Sequence, residues 1–400
     1  MATLGIIVAP CAQAQTYTLL HAFNNAGDGA YPQAGVTLDA AGNLYGTTTG
    51  YEQNTTSTVY KLSRAGSGWR VSVLHTFAGG TDGAAPYAGV VFGPDGTLYG
   101  TTASGGLFNN GTVYNLRPPA SPCLSAECPW VETILYNFTG LADGAGPWAN
   151  LTFDSAGNIY STTIAGGTHG KGVVFELSRS GETWTESVLY SFKGVPVDGA
   201  NPESSVTFDS AGNLYGTTAM GGYQEDVGTI YELSPSQSGW TETVLFNFNP
   251  GSSGYTPYSG VVFDPQGNFY GTTSNGGGLE NAGGTIYQME PSGDSWIFNV
   301  LYSFNLGPNQ PYDTPTLDAA GNLYGTTSGG PAGTGSIFEL TRGSNGWTYS
   351  NLYEFAYQGY QPHGGVAFDH SGNLYGTTFY GGNYPQGCGS GCGVVWELVP

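Results

Sequence analysis

The chain has 400 residues, a net charge of −21, only eight lysines and arginines together, and 14 % aromatic against 9 % charged residues. Partners that demand cationic neutralisation, namely nucleic-acid phosphate and anionic membrane surfaces, are excluded by that balance. No run of eighteen apolar residues occurs, so no membrane span is expected. The 67 glycines suit short strands and tight turns rather than helices.

Residues 1–14, MATLGIIVAPCAQA, carry an apolar stretch from Leu4 to Ala9 and then Ala12-Gln13-Ala14. That is the small-residue pattern of a cleaved secretory signal. Residues 1–14 are therefore expected to be a signal peptide of an exported protein, with residues 15–400 as its one domain. Pro10 before Cys11 argues against a lipoprotein site. The next segment, QTYTLLHAF from Gln15 to Phe23, reads as a single strand.

From there one phrase recurs seven times: LDAAGNLYGTT from Leu38, FGPDGTLYGTT from Phe92, FDSAGNIYSTT from Phe153, FDSAGNLYGTT from Phe208, FDPQGNFYGTT from Phe263, LDAAGNLYGTT from Leu317 and FDHSGNLYGTT from Phe368. Its turn glycines, from Gly42 to Gly372, are spaced by 54, 61, 55, 55, 54 and 51 residues. Strand-like content at such a period means a propeller or a related β array, because one unit cannot bury its own apolar face. The fifth copy shows the full set: GVVFD from Gly260, NFYGTT from Asn268, GTIYQM from Gly284 and WIFNVLYSF from Trp296. Each is a run of β-formers bounded by turn residues, and four antiparallel strands make one blade. In the turn between the first two, the aspartate caps backbone N–H groups and the glycine supplies positive φ.

The fourth strand carries Trp69, Trp130, Trp184, Trp240, Trp296 and Trp347, each eight residues before a phenylalanine. They are expected to be core anchors rather than ligands. The seventh copy stops at Pro400 without a fourth strand, and Gln15 to Phe23 matches the missing pattern. The chain is thus predicted to be all-β, a single seven-bladed propeller of four-stranded blades, its last blade completed by the N-terminal strand. An unpaired edge there would invite aggregation.

Setting Cys11 aside, the cysteines form two local pairs in inserts: Cys123 with Cys128, and Cys388 with Cys392. Both are expected to be disulfides in an oxidising compartment. Zinc would need nearby histidines at ligand spacing, which neither pair has.

The seven near-identical phrases resemble the GloVer tandem-repeat family of bacterial secreted proteins, over Tyr17 to Leu398. The resemblance implies an exported bacterial propeller and supplies no reaction or catalytic residue.

Seven prolines precede the first strand of each blade in one register, and the residue after each should point at the mouth of the central channel. Those residues are Gln33, Tyr87, Trp148, Glu203, Tyr258, Tyr312 and His363. A repeated scaffold with varied side chains at one radius is the pattern of a binding ring, and aromatics beside a carboxylate suit sugars; the alternative is that the rings plug the channel. Four adjacent blades carry Asp-Gly-Ala at Asp28, Asp82, Asp143 and Asp198. These read as turn chemistry, with calcium as the alternative and the one cofactor left open.

The five histidines form no metal-spaced set. Glu203 with one of those aspartates is the only carboxylate pair to nominate for glycoside chemistry. The favoured reading is a non-catalytic extracellular module that binds glycans. Two alternatives stand beside it: a self-associating filament or matrix subunit exchanging its N-terminal strand, and a glycoside-active enzyme.

Overall fold

In the computed structural model the chain forms seven four-stranded antiparallel sheets, the blades of one propeller, with a single three-residue 3-10 turn, Gly80–Asp82, as its helical content among the described residues. The structure describes residues 15–51, 54–120, 129–223, 225–237, 239–278, 283–305, 309–330, 333–344, 346–382 and 388–400. The expected signal peptide and the Cys123–Cys128 pair lie outside the described residues. Blade five shows the pattern: Val262–Phe263 lies innermost, followed outward by Phe269–Thr273, Thr285–Ser292 and Ser295–Ser303. The seventh blade closes as expected. Its outermost strand is Thr16–Ala22, paired antiparallel with Val394–Val399 from Thr16 opposite Val399 to Ala22 opposite Val394. Closure is within one chain.

The repeated phrase has a physical reason at each position. In blade five, Asp264 Oδ1 accepts the Gln266 and Asn268 N–H groups at 2.9 and 3.0 Å. Its Oδ2 accepts Asn268 Nδ2 at 2.7 Å and the Tyr270 hydroxyl at 2.9 Å. Four donors saturate the carboxylate, so the turn builds itself from its own residues. In the same turn of blade one, burial pushes the Asp39 carboxyl up, yet these hydrogen bonds outweigh it and hold the group below its ordinary range.

The glycine of Gly-Thr-Thr lies under an aromatic ring of the third strand. A methyl group on Gly271 would overlap the Tyr287 hydroxyl. Blade three carries Ser161 in the glycine's place, opposite Phe175, whereas blade six keeps Gly325 opposite Phe338, so loss of the opposing hydroxyl does not by itself account for the serine.

The first threonine of each phrase reaches across to the next blade. Thr47 donates to Ala88 O at 2.8 Å, Thr162 to Ser204 O at 3.0 Å, Thr217 to Ser259 O at 2.6 Å and Thr326 to Gly364 O at 2.9 Å. Longer versions join Thr101 to Ala149 and Thr272 to Asp313, and Thr377 to Ala34 at 2.8 Å closes the ring. Buried hydroxyl bonds of this kind contribute about 1 kcal/mol each, and losing one strands a buried acceptor. The second threonine usually meets a hydroxyl of its own blade, as Thr273 meets Thr285 at 2.9 Å.

Apolar packing follows the same seams. There are seven buried clusters, one per junction between neighbouring blades. The third strands each contribute one fully buried ring, Tyr60, Tyr114, Phe175, Tyr231, Tyr287, Phe338 and Trp396, and further buried rings, among them Phe23, Phe138 and Phe192, pack beside them. The outer-strand tryptophans are not the core centres expected from sequence. They are half-buried at the rim, where Trp130 covers Tyr45, Trp296 covers Tyr215 and Trp347 covers Tyr270 of the preceding blade. An outermost strand has one hydrogen-bonded neighbour only, so rings near its free edge stay partly exposed, while Leu74, turned into a seam, is buried.

Each third and outermost strand pair also skips one residue at the same place, a β-bulge at Leu20, Leu74, Leu135, Leu189, Leu245, Leu301 or Leu352. The bulge turns that leucine toward a seam cluster.

Cys388 and Cys392 form a buried disulfide with Cα atoms 5.3 Å apart. The Cys392 carbonyl accepts the Tyr31 N–H at 2.8 Å, so this staple also ties blade seven to the approach of blade one. A five-residue loop gives a chain-entropy gain of about 2 kcal/mol.

Gly271→Ala is expected to lower unfolding free energy by about 1–3 kcal/mol through overpacking against Tyr287. The Gly271→Ala/Tyr287→Phe double variant is expected to recover part of that loss. Urea denaturation of the four proteins in the cycle reads the coupling; strictly additive losses would contradict the packing account.

Candidate functional site

The channel mouth is built by the seven loops that lead from each outermost strand to the next blade's innermost strand. The residue before each proline is expected to be extended, because a helical conformation crowds the proline ring. In the structure all seven are left-handed instead: Tyr31, Ala85, Gly146, Asn201, Thr256, Gln310 and Gln361 have φ between 53° and 64°. Six of these are not glycine, a conformation that costs roughly 1–2 kcal/mol per residue.

Backbone hydrogen bonds on both sides hold it. The Gln310 N–H donates to Gly283 O at 2.7 Å and its carbonyl accepts the Ser328 N–H at 3.0 Å. Corresponding pairs hold Tyr31, Gly146, Asn201, Thr256 and Gln361. Six of the seven loops are thus clamped between their own blade and the preceding one, and the side chain after the proline is delivered to a rigid position.

All seven residues expected at the mouth line one cavity of about 440 Å³. Each is half-buried. They are not evenly distributed by chemistry. Tyr87 and Trp148 form one aromatic arc, with ring centroids 4.7 Å apart and planes inclined at 36°. Tyr258, Tyr312 and His363 form the second, at 5.4 and 5.0 Å. In blade order Glu203 separates the arcs on one side and Gln33 on the other. The cavity is therefore two aromatic walls with a hydrogen-bonding group in each gap.

Burial sets the charge of the mouth. It pushes the Glu203 carboxyl up to about 7, so near neutrality the group is both a hydrogen-bond donor and an acceptor. Burial also drops His363 to about 4, which keeps the imidazole neutral, and the ring stacks on Phe379 at 5.1 Å. At the floor, burial raises the Asp313 carboxyl above its ordinary range, though two backbone N–H groups oppose this: Thr314 at 2.7 Å, and Gly365 of the next blade. Asn150 Oδ1 accepts the Gly89 N–H at 2.8 Å in the same way.

The Asp-Gly-Ala aspartates do not line this cavity. Asp28 pairs with His21 Nε2 at 3.0 Å, and Asp82 with His75 Nε2 at 3.2 Å. Asp143 accepts the Tyr136 hydroxyl at 3.0 Å and the Thr139 N–H at 2.7 Å, while Asp198 accepts the Tyr190 hydroxyl and the Lys193 and Gly194 N–H groups. Glu203 and these carboxylates are therefore not assembled as a catalytic pair.

The aspartates instead stand along the blade seams toward the rim, where sequence reading missed a second set of acids. Glu132, Glu186 and Glu242, each two residues after a tryptophan, come from the next blade. Burial first, and the facing Asp82, Asp143 or Asp198 second, pushes them up to about 9, 7 and 7. The Trp-x-Glu pattern was visible in the sequence, but its partner lies in another repeat. At three other seams the glutamate position and the place held by His75, Tyr136 and Tyr190 carry stacked rings instead: Phe246 on Phe298 at 3.9 Å, Tyr302 on Tyr349 at 4.2 Å and Tyr353 on Tyr17 at 4.2 Å.

This fold and site define a seven-bladed β-propeller with an aromatic cavity at the mouth of its channel. The chain belongs to the Gloeobacter/Verrucomicrobia repeat family, whose repeat matches residues 2–126 and 128–311. A comparison with curated proteins finds no match.

Among solved structures, the chain is similar to PorZ, an essential surface component of the type-IX secretion system of Porphyromonas gingivalis, at 15 % identity and a TM-score of 0.53 over 90 % of this chain. It spans about half of PorZ, 46 % of its length. It is similar also to the periplasmic gluconolactonase PpgL of Pseudomonas aeruginosa, at 16 % identity and 0.51, covering 90 % of this chain and 98 % of that one. A third is the extracellular domain of the hybrid two-component system BT3049 of B. thetaiotaomicron, at 15 % identity and 0.53, covering 96 % and 41 %. At such identities the likeness is one of fold.

A carboxyl held up by burial favours the folded state at low pH, and that contribution is lost as pH rises from the unfolded value through the folded one. For Glu203 the window runs from 4.5 to about 7. Thermal midpoints across that range should therefore fall less steeply in Glu203→Gln than in the parent. Parallel curves would contradict the burial of this group.

Proposed function

We propose that this chain is a non-catalytic extracellular binding module that takes a glycan into the aromatic mouth of its channel. The observation that carries this reading is the convergence of Gln33, Tyr87, Trp148, Glu203, Tyr258, Tyr312 and His363 on one cavity. Its volume of about 440 Å³ falls within the usual range of small-ligand sites, about 300–1,000 Å³.

Sugar rings present apolar C–H faces and hydroxyl edges. The first suit the two aromatic arcs and the second suit Glu203 and Gln33. A neutral imidazole and a partly protonated carboxyl keep the desolvation cost of the empty mouth low compared with full charges. Export is supported by the Cys388–Cys392 disulfide, by the N-terminal apolar segment, and by the surface, periplasmic and extracellular settings of the three fold relatives. A lactone- or glycoside-cleaving activity has less support, since the second carboxylate of the cavity, Asp313, is committed to two backbone N–H groups.

Glycan-array screening followed by calorimetry tests the reading. Trp148→Ala and Tyr258→Ala should each weaken binding by about 1–3 kcal/mol, as for aromatic stacking on other planar ligands. Their thermal stability should change little, because both side chains are only half-buried. Loss of stability in both variants, with no glycan bound by the parent, would identify the rings as a plug and overturn the proposal.

A further inference from the structure

We propose that His75, Asp82 and Glu132 form a site for one divalent metal ion of the zinc class at the seam between blades one and two. His75 lies near the end of the outermost strand of blade one, Asp82 in the 3-10 turn that follows, and Glu132 on the outermost strand of blade two. His75 Nε2 stands 3.2 Å from Asp82 Oδ1 and 3.7 Å from Glu132 Oε1. All three ligand atoms lie within 4.8 Å of one another. An ion bound at 2.0–2.2 Å by imidazole nitrogen and carboxylate oxygens in tetrahedral geometry separates its ligands by about 3.4 Å. The three groups are therefore already spaced as one face of such a site, with a fourth position left for water.

The chemistry of the seam agrees with its spacing. The side chains are 15, 23 and 13 % exposed, and the ion-pair contacts of His75 Nε2 among the described residues are Asp82 and Glu132, all three groups of the cluster itself. Asp82 is oriented by the Ala78 N–H on its other oxygen at 2.5 Å, and the His75 ring packs edge-on against Phe77 at 4.8 Å. No lysine or arginine pairs with either carboxylate among the described residues. Calcium, which takes six to eight oxygen ligands, is a poor match for a site with an imidazole and two carboxylates.

The other seams act as internal controls. At the next two, Tyr136 and Tyr190 occupy the place of His75 and donate their hydroxyls to Asp143 and Asp198. At the seam between blades seven and one, His21 pairs with Asp28, but Val71 stands where Glu132 would be. Three further seams hold stacked rings. Only between blades one and two do a histidine, an aspartate and a glutamate coincide among the described residues.

The test uses the full chain without an affinity tag, stripped with chelator and titrated with zinc by calorimetry. Cobalt absorption serves as a second readout of an imidazole–carboxylate environment. One zinc per chain is expected. His75→Tyr, which installs the residue of the sister seams, and Glu132→Gln should each weaken uptake by about tenfold or more, while His21→Tyr leaves it unchanged. Circular dichroism checks that each variant is folded. Absence of saturable zinc uptake by the parent, uptake unchanged in both His75→Tyr and Glu132→Gln, or displacement of zinc by an equal concentration of calcium would each overturn the proposal.

Discussion

The hydroxyl of the first threonine in each Gly-Thr-Thr, bonded to a carbonyl of the next blade, is the contact on which the rest of the molecule depends. The acceptor is the residue immediately after the mouth residue in every blade, from Ala88 beside Tyr87 to Ala34 beside Gln33. Fixing that carbonyl fixes the radial position of the side chain before it. A buried hydroxyl cannot easily shift to another acceptor without leaving one unsatisfied, so the seam bonds set both blade spacing and mouth geometry. The seventh, from Thr377 to Ala34, is formed only when the ring is closed.

Two sets of variable side chains are carried on this constant frame. One set, after the prolines, faces the channel and forms the two aromatic arcs. The other sits along the seams toward the rim, where neighbouring blades meet through their outermost strands. There three seams hold acids facing acids, and at three others the glutamate position carries a ring that stacks on a ring of the neighbouring outermost strand. At these acidic seams burial and the facing aspartate raise the glutamate, to about 9 at Glu132 and about 7 at Glu186 and Glu242, which eases the repulsion between the two carboxyls. The ring is thus chemically lopsided, with acidic seams in blades one to four and aromatic seams in blades four to seven.

Much of this was legible in the sequence because it is local. The D-x-x-G-N turn closes on its own backbone, the mouth residues share a register with seven prolines, and the missing outer strand of blade seven was visible as Gln15–Phe23. The features that escaped are those that arise between repeats. The left-handed residue before six of the seven prolines is held by hydrogen bonds from two different blades, and local preference alone argues against it. The bulged leucines are offset by the seam clusters they fill. The tryptophans looked like core anchors by their size, but a strand at the rim has nothing beyond it to bury them. His75 offers no metal spacing along the chain, since its two companions come from a loop and from a strand of the next repeat.

By itself the sequence determined the repeat, the blade, the blade number, closure by the N-terminal strand, and the identity of the side chains at the mouth. Each follows from short-range periodicity and turn chemistry, which act within about fifty residues of the chain. Tertiary structure alone decided which side chains face one another across the seams. It placed Glu132 against Asp82 and His75, Tyr17 against Tyr353, and Glu203 in the gap between two aromatic walls. Those pairings depend on how far one blade is rotated from the next, and that rotation is set by buried hydroxyls and packed rings whose partners lie some fifty residues away, or at the opposite end of the chain.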